Sequence, residues 1–208
     1  MINICPNCGS YRADRAIDPA GPYAVCPECG FKQPFLRLPL LVVSGASGAG
    51  KSSVCNHLLG KLRDAVILDA DILWRPEFNT PGDNYHAFFD AWLRMSKNIA
   101  QSGRPVALFG AGMGVPSNLE GLVERRYFSA IHYLALVCSD EELARRLQAR
   151  PAWRDSGGAA WIESQLAFNR WFRETGAFGQ PPVELLDTTG VPLEQTAAQV
   201  EAWIRGKI

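Results

Sequence analysis

The segment Val43-Ser44-Gly45-Ala46-Ser47-Gly48-Ala49-Gly50-Lys51-Ser52-Ser53 decides how the rest of the chain is read. The apolar run Leu40 to Val43 stops abruptly at it, and three glycines and one lysine follow. Gly45-x-x-x-x-Gly50-Lys51-Ser52 has the full spacing of a phosphate-binding loop between a strand and a helix. Glycine lets successive backbone N–H groups turn toward one anion, and a helix starting at the lysine directs its positive end at the same point. In this reading Gly45, Ala46, Ser47, Gly48, Ala49, Gly50 and Ser53 form the cradle. Lys51 reaches the β and γ phosphates, and the Ser52 hydroxyl ligates Mg2+. A plain glycine-rich turn would leave the lysine unexplained. The implied ligand is a nucleoside triphosphate, ATP first.

Working outward, short apolar runs alternate with helical periodicity. Strands are expected at Leu40 to Ser44, Ala65 to Leu68, Pro105 to Phe109, His132 to Cys138 and Val183 to Leu186. Helices are expected at Lys51 to Arg63, Asn84 to Gln101, Asp140 to Ala149, Ala159 to Glu174 and Leu193 to Arg205. Continuous apolar strands alternating with helices mean a parallel sheet covered on both faces.

The second strand runs VILDADILW and places Asp69 and Asp71 at its carboxyl end, the edge where open α/β sheets bind ligands. If the strand continues, two residues apart means the same side. One carboxylate then serves the metal and the other takes a proton from an attacking hydroxyl. With the phosphate loop, these residues make the chain resemble the small P-loop kinases, the group of shikimate kinase, gluconate kinase, adenylylsulfate kinase and chloramphenicol phosphotransferase. The resemblance covers residues 40 to 205. It implies a P-loop NTPase three-layer α/β/α fold with a parallel five-stranded sheet ordered 2-3-1-4-5, and transfer of the γ-phosphoryl group of ATP. It also implies a mobile lid after the fourth strand's helix, carrying arginines. Arg150 and Arg154 are the candidates here, with Arg146 next, because the planar guanidinium grips phosphate oxygens and does not titrate away. Arg146 and Arg150 are four apart on the helix, whereas Arg145 points elsewhere. Gly157 and Gly158 are the expected hinge. Leu185 to Gly190, LLDTTG, resembles the turn beside the adenine, with Thr188 and Thr189 as candidates for that contact or for a helix N-cap.

A departure from many P-loop ATPases is the third strand, which ends at Gly110 without an acidic residue, so Mg2+ falls to Ser52 with Asp69 or Asp71. Gly110 to Gly114, GAGMG, reads as a loop that lets substrate approach backbone. The segment carrying Trp74, Arg75, Tyr85, His86, Phe88, Phe89 and Trp92 suits stacking on a flat ring, although the helical spacing of Phe88, Phe89 and Trp92 favours core packing. Glu124, Arg125 and Arg126 offer a substrate-side cation or a plain surface helix.

Four of the six cysteines fall in the first 29 residues, where Cys5-Pro6-Asn7-Cys8-Gly9 and Cys26-Pro27-Glu28-Cys29-Gly30 repeat one pattern. Two thiolates two residues apart bite one metal from a tight turn, and two such turns complete a tetrahedral Zn2+ site. A redox dithiol has no need of the motif twice. Pro34 and Pro39 mark the end of this module, so residues 1–38 are expected to form a zinc ribbon and 39–208 the nucleotide-binding domain. Cys55 and Cys138 read as core residues.

At 208 residues the chain has room for one full core and an appended module. Lys+Arg and Asp+Glu are both 21, which gives no general field toward nucleic acid or anionic membrane. The ribbon, with its thiolates and one Zn2+, comes to a formal charge of about minus one, a poor footprint for a phosphate backbone. No apolar run is long enough to span a bilayer, and a cytoplasmic location is expected. The expected activity is phosphoryl transfer from ATP to a hydroxyl or phosphate of a small molecule, a nucleoside or nucleotide first. Two other readings stay open: a polynucleotide end kinase or nucleic-acid-dependent ATPase, and a nucleotide-binding regulatory protein whose ribbon binds a protein partner.

Overall fold

A computed structural model describes residues 1–154 and 156–208. The chain begins with a small antiparallel sheet of three strands, β1 (Ala16–Asp18), β2 (Tyr23–Val25) and β3 (Lys32–Pro34), in that spatial order. A second sheet has five parallel strands: β4 (Leu40–Ser44), β5 (Val66–Asp69), β6 (Val106–Phe109), β7 (Ile131–Val137) and β8 (Val183–Asp187). Their spatial order is β5-β6-β4-β7-β8, the expected 2-3-1-4-5. The helices are α1 (Lys51–Leu58), α2 (His86–Ile99), α3 (Ser117–Glu120), α4 (Asp140–Gln148), α5 (Ala159–Glu174) and α6 (Leu193–Arg205).

The central strand explains the apolar run that opened the reading. Leu40 to Val43 have no solvent exposure, because alternate side chains enter two different cores. Leu40 and Val42 pack with Phe88, Trp92 and Phe172 from α2 and α5; Leu41 and Val43 pack with Val54, Leu58, Val200 and Ile204 from α1 and α6. Each such side chain contributes about 1.5–3 kcal/mol of burial. Cys55 and Cys138 are buried in the cores. Phe88, Phe89 and Trp92 are core residues.

Several element ends differ from expectation, two of them with a clear local cause. Helix α1 stops at Leu58 rather than Arg63, because Leu59 turns extended and Gly60 takes a left-handed φ of 75° that reverses the chain. Strand β5 ends at Asp69, and Ala70–Leu73 form a 3-10 turn. Asp69 and Asp71 therefore do not share a strand face. The Asp69 carboxylate instead caps the turn, accepting from the Asp71 N–H at 3.0 Å.

The three-stranded sheet docks at the amino-terminal edge of the large sheet. The Ser129 N–H donates to the Leu38 carbonyl, and the Leu36 N–H donates to the Gln101 side chain just beyond α2. Tyr127 is buried, donates to the Ala13 carbonyl at 2.8 Å and meets Phe35 edge-on at 5.7 Å. The region expected to offer a substrate-side cation lies in this seam. Glu124 is fully buried, bonded to Lys97 and to Arg94 and within 3.4 Å of the Asn3 amide. Arg125 pairs with Glu120, and Arg126 donates to the Asp14 carbonyl. These side chains are engaged with partners within the fold. No helix among the described residues is long and apolar enough to cross a membrane.

Candidate active site

At the carboxyl edge of the large sheet the phosphate loop wraps the start of α1. Gly45 has φ 138°, and a Cβ there would lie 2.3 Å from the Leu136 carbonyl oxygen, so only glycine lets β4 and β7 stay paired as the chain turns. Gly50, at φ 105°, is the left-handed residue from which α1 starts. Lys51 folds back over the loop, donating to the carbonyls of Gly45 at 2.8 Å and Ala46 at 3.0 Å. Ser47 to Ser53 line a cleft of about 640 Å³, together with Asp69, Asp71, Arg146, Arg150, Arg154 and Thr188. Of the phosphate-loop residues only Gly45 and Ala46 stay behind the wall, where they hold Lys51; Thr189, Trp74, Arg75, Tyr85 and His86 also lie outside the cleft lining.

The electrostatics of the cleft follow from desolvation. Burial pushes the Lys51 ammonium down to about 8, opposed by Asp71 and Asp69 and aided by Arg150. Burial, with the neighbouring Asp69 charge, raises the Asp71 carboxyl above the ordinary carboxylate range, against the pull of Lys51 and Arg154. Desolvation and then Arg154 lower Arg150.

Arg146 and Arg150 line the cleft and Arg145 does not, although α4 ends at Gln148 and Arg150 lies beyond it rather than on its face. Arg145 is exposed and pairs with Glu142 at 2.8 Å. Arg146 also takes Glu142, at 2.7 Å, but its other nitrogens reach the Thr188 hydroxyl and carbonyl, tying α4 to the turn after β8. Arg150 and Arg154 follow α4, and Arg154 lies 5.0 Å from the Trp153 ring centre. Thr188 is buried and donates to the Val137 carbonyl; Thr189 accepts from the Ser139 N–H. Neither caps α6, whose N-cap is Pro192.

No protein-family model matches the sequence, and no curated protein is significantly similar to it. Solved structures are informative instead. A sugar kinase from a Janibacter species is 19% identical with a TM-score of 0.59, covering 81% of this chain and 95% of its own. A gluconokinase from Sinorhizobium meliloti is 18% identical with a TM-score of 0.57, over 80% of this chain and 91% of its own. Thymidylate kinase from Candida albicans is 15% identical with a TM-score of 0.53, over 82% and 92%. The fold is that of the P-loop kinases.

Within the P-loop kinase fold, several groups at the cleft carried no sequence signal. The Gln165 side chain on α5 accepts from the Ser47 N–H at 2.9 Å, connecting the helix after the arginine segment to the phosphate loop. Trp153, Val191, Leu193 and Thr196 complete the wall. The GAGMG segment is tighter than a substrate loop needs to be. A Cβ at Gly110 would lie 2.7 Å from that of Ala70, and one at Gly114 would lie 2.2 Å from that of Ser44. Both glycines serve close packing, although Gly110 and Ala111 still edge the cleft.

The cysteine cluster lies apart from this cleft. Each knuckle closes with a left-handed glycine, Gly9 at φ 73° and Gly30 at φ 71°, whose N–H returns to the carbonyl of Cys5 or Cys26 at 2.9 Å. The four sulfurs lie within 4.8 Å of one another, and Cys5–Cys29 and Cys8–Cys26 are each 3.7 Å apart. A tetrahedral Zn2+ with bonds of about 2.3 Å requires sulfur separations of about 3.8 Å, and a disulfide would require about 2.05 Å. The donor set therefore fits zinc.

Proposed function

We propose that the protein is an ATP-dependent kinase that transfers a γ-phosphoryl group to a small molecule. The observation that carries the reading is one cleft in which Lys51 is folded over a glycine loop at a helix start, opposite Asp71. The loop amides and α1 hold the triphosphate, and Lys51 leaves its carbonyls for the β and γ phosphates. Ser52 and Asp69 are the groups that would hold Mg2+, whose charge offsets that of the phosphates. Arg146, anchored on Thr188, and Val191 form the wall for the nucleobase.

Asp71 is the general base. It takes the proton of the acceptor hydroxyl while that oxygen bonds to the γ phosphorus and the bridging P–O bond breaks, releasing ADP. Its raised pKa is consistent with the role. Arg150 and Arg154, on the segment between α4 and α5, close over the transferring group and exclude water, with Gly157 and Gly158 as the hinge. Residues 1–38 form a zinc-holding module that stabilises the chain, and Cys5, Cys8, Cys26 and Cys29 are its ligands. Docking at the opposite edge of the sheet keeps it out of the acceptor's path, which argues against a polynucleotide running between module and cleft.

Incubating the protein with γ-labelled ATP and a panel of hydroxyl compounds tests this reading. Label is expected in one acceptor class for the wild type and not for Lys51→Met. Label released only as inorganic phosphate under every condition would contradict it.

A further inference from the structure

Helix α5 meets the phosphate loop on the side away from the cleft. A small core joins them: Ala46 of the loop packs with Cys138, just past β7, and with Leu143 and Leu147 of α4, and Ile162 and Leu166 of α5 lie against these. Beside this apolar seam the Gln165 side-chain oxygen accepts from the Ser47 N–H at 2.9 Å, while its nitrogen meets the Ser164 hydroxyl at 3.4 Å. Ser47 lines the cleft and Gln165 does not.

The loop's amides fall into two sets. The Ala49 N–H is taken by the Ala46 carbonyl at 3.1 Å and the Ser47 N–H by Gln165. Those of Gly48, Gly50, Lys51 and Ser52 have no protein acceptor among the described residues, as expected where a helix begins, and these are the amides left for phosphate. Ser47 lies between Gly45 and Gly48, whose φ values are 138° and 90°. Glycine is the residue with most backbone freedom to lose, so the peptide at Ser47 needs an outside anchor to hold one orientation.

That anchor is itself fixed. Asn169, four residues on and on the same face of α5, is fully buried; it accepts from the Cys138 N–H at 3.3 Å and donates to the Cys138 carbonyl at 2.8 Å. Arg170 and Arg173 both pair with Asp140 at the start of α4, each at 2.7 Å. The Gln165 oxygen therefore projects from a helix pinned to the end of β7 and to α4.

We propose, resting on the kinase reading, that Gln165 is a positioning residue for nucleotide binding: by taking the Ser47 N–H it keeps the amides that follow aimed at the phosphates, without touching the nucleotide. Without an acceptor at position 165 the nucleotide must order the loop itself, and that cost falls on affinity rather than on the transfer step.

The test uses the full-length zinc-loaded protein, with amide exchange followed residue by residue by NMR and calorimetry with a non-hydrolysable MgATP analogue. In the wild type the Ser47 N–H is expected to be protected before any nucleotide is added, and those of Gly50 and Lys51 only afterwards. Gln165→Met removes the acceptor at similar length. It should speed Ser47 exchange and weaken the analogue at least about fivefold, on the scale of one lost hydrogen bond, with KM for ATP rising alongside and kcat at saturation changing less. Gln165→Glu keeps an acceptor and should keep Ser47 protected. A Ser47 amide that exchanges as freely as that of Gly50 in nucleotide-free wild type overturns the proposal, whatever the variants do. So does a Gln165→Met protein that binds the analogue as tightly as wild type, even with a lowered Tm, since the contact would then serve stability alone. A folded wild type that binds no analogue contradicts the kinase reading, whereas equal binding by wild type and Gln165→Met contradicts only this proposal.

Discussion

The cleft and the cysteine module are both built from glycine-turned loops, yet they treat their polar groups in opposite ways. In the module and its seam, charge is sealed in. Arg15 is fully buried on Gln33 and the Ser10 carbonyl, and Lys97 lies between Glu124 and the face of Tyr127, 3.6 Å from the ring centre. In the cleft, Lys51, Asp71 and Arg150 are partly desolvated but face an opening. Sealed polar groups specify how two sheets fit together; groups left facing a cleft are available to a ligand.

The comparison breaks most sharply at the metal. Structural zinc contributes on the order of 10 kcal/mol in small cysteine sites. Chelation is expected to melt the module's knuckles, read by loss of amide protection at residues 1–38, while MgATP affinity changes less than twofold. A parallel loss of affinity would mean the two regions are one unit. Next comes Asp71→Asn, expected to lower kcat by about a hundredfold to ten-thousandfold with no change in MgATP affinity or Tm. Unchanged turnover would remove Asp71 as the base.

Glu124→Gln works in the opposite direction. It leaves Lys97 buried without its carboxylate and should cost about 3–5 kcal/mol in urea unfolding, with kcat unaltered. The pair Lys97→Met with Glu124→Leu should recover much of that loss. The smallest effect is protonic. Lys51, held near 8 in the free protein, is partly neutral at pH 8.5. Nucleotide phosphates restore its charge, so calorimetry in buffers of different ionisation enthalpy should show net proton uptake at pH 8.5 and little from this group at pH 7. The sign for stability is consistent. The desolvated ammonium is a cost fully present below pH 8, relieved as pH rises from there toward 10.5.

Legibility in the sequence followed the range of each interaction. The phosphate loop and the two knuckles rest on spacings of a few residues, the parallel sheet on a repeated strand-helix pattern, and its strand order on the resemblance to the small P-loop kinases; the structure carries all of them. Helical geometry separates Arg146 from Arg145, whereas Arg150 lies past the end of α4 at Gln148 and reaches the cleft from the segment beyond. The Lys97–Glu124 pair could not be found this way, because its partners are joined only when α2 meets the segment before β7. Gln165 reaching Ser47 is equally non-local. Whether Asp69 and Asp71 share a face is not legible, because a continuing strand and a turn capped by Asp69 have the same local composition; the buried contact of Ala70 beside Gly110 decides for the turn.

Titration calorimetry of MgATP into the wild type and Lys51→Met tests the central claim most directly. The account predicts one saturable site in the wild type, weakened at least a hundredfold by the substitution in protein of unchanged Tm. No saturable heat in folded wild type, or equal affinity in the two, would contradict it.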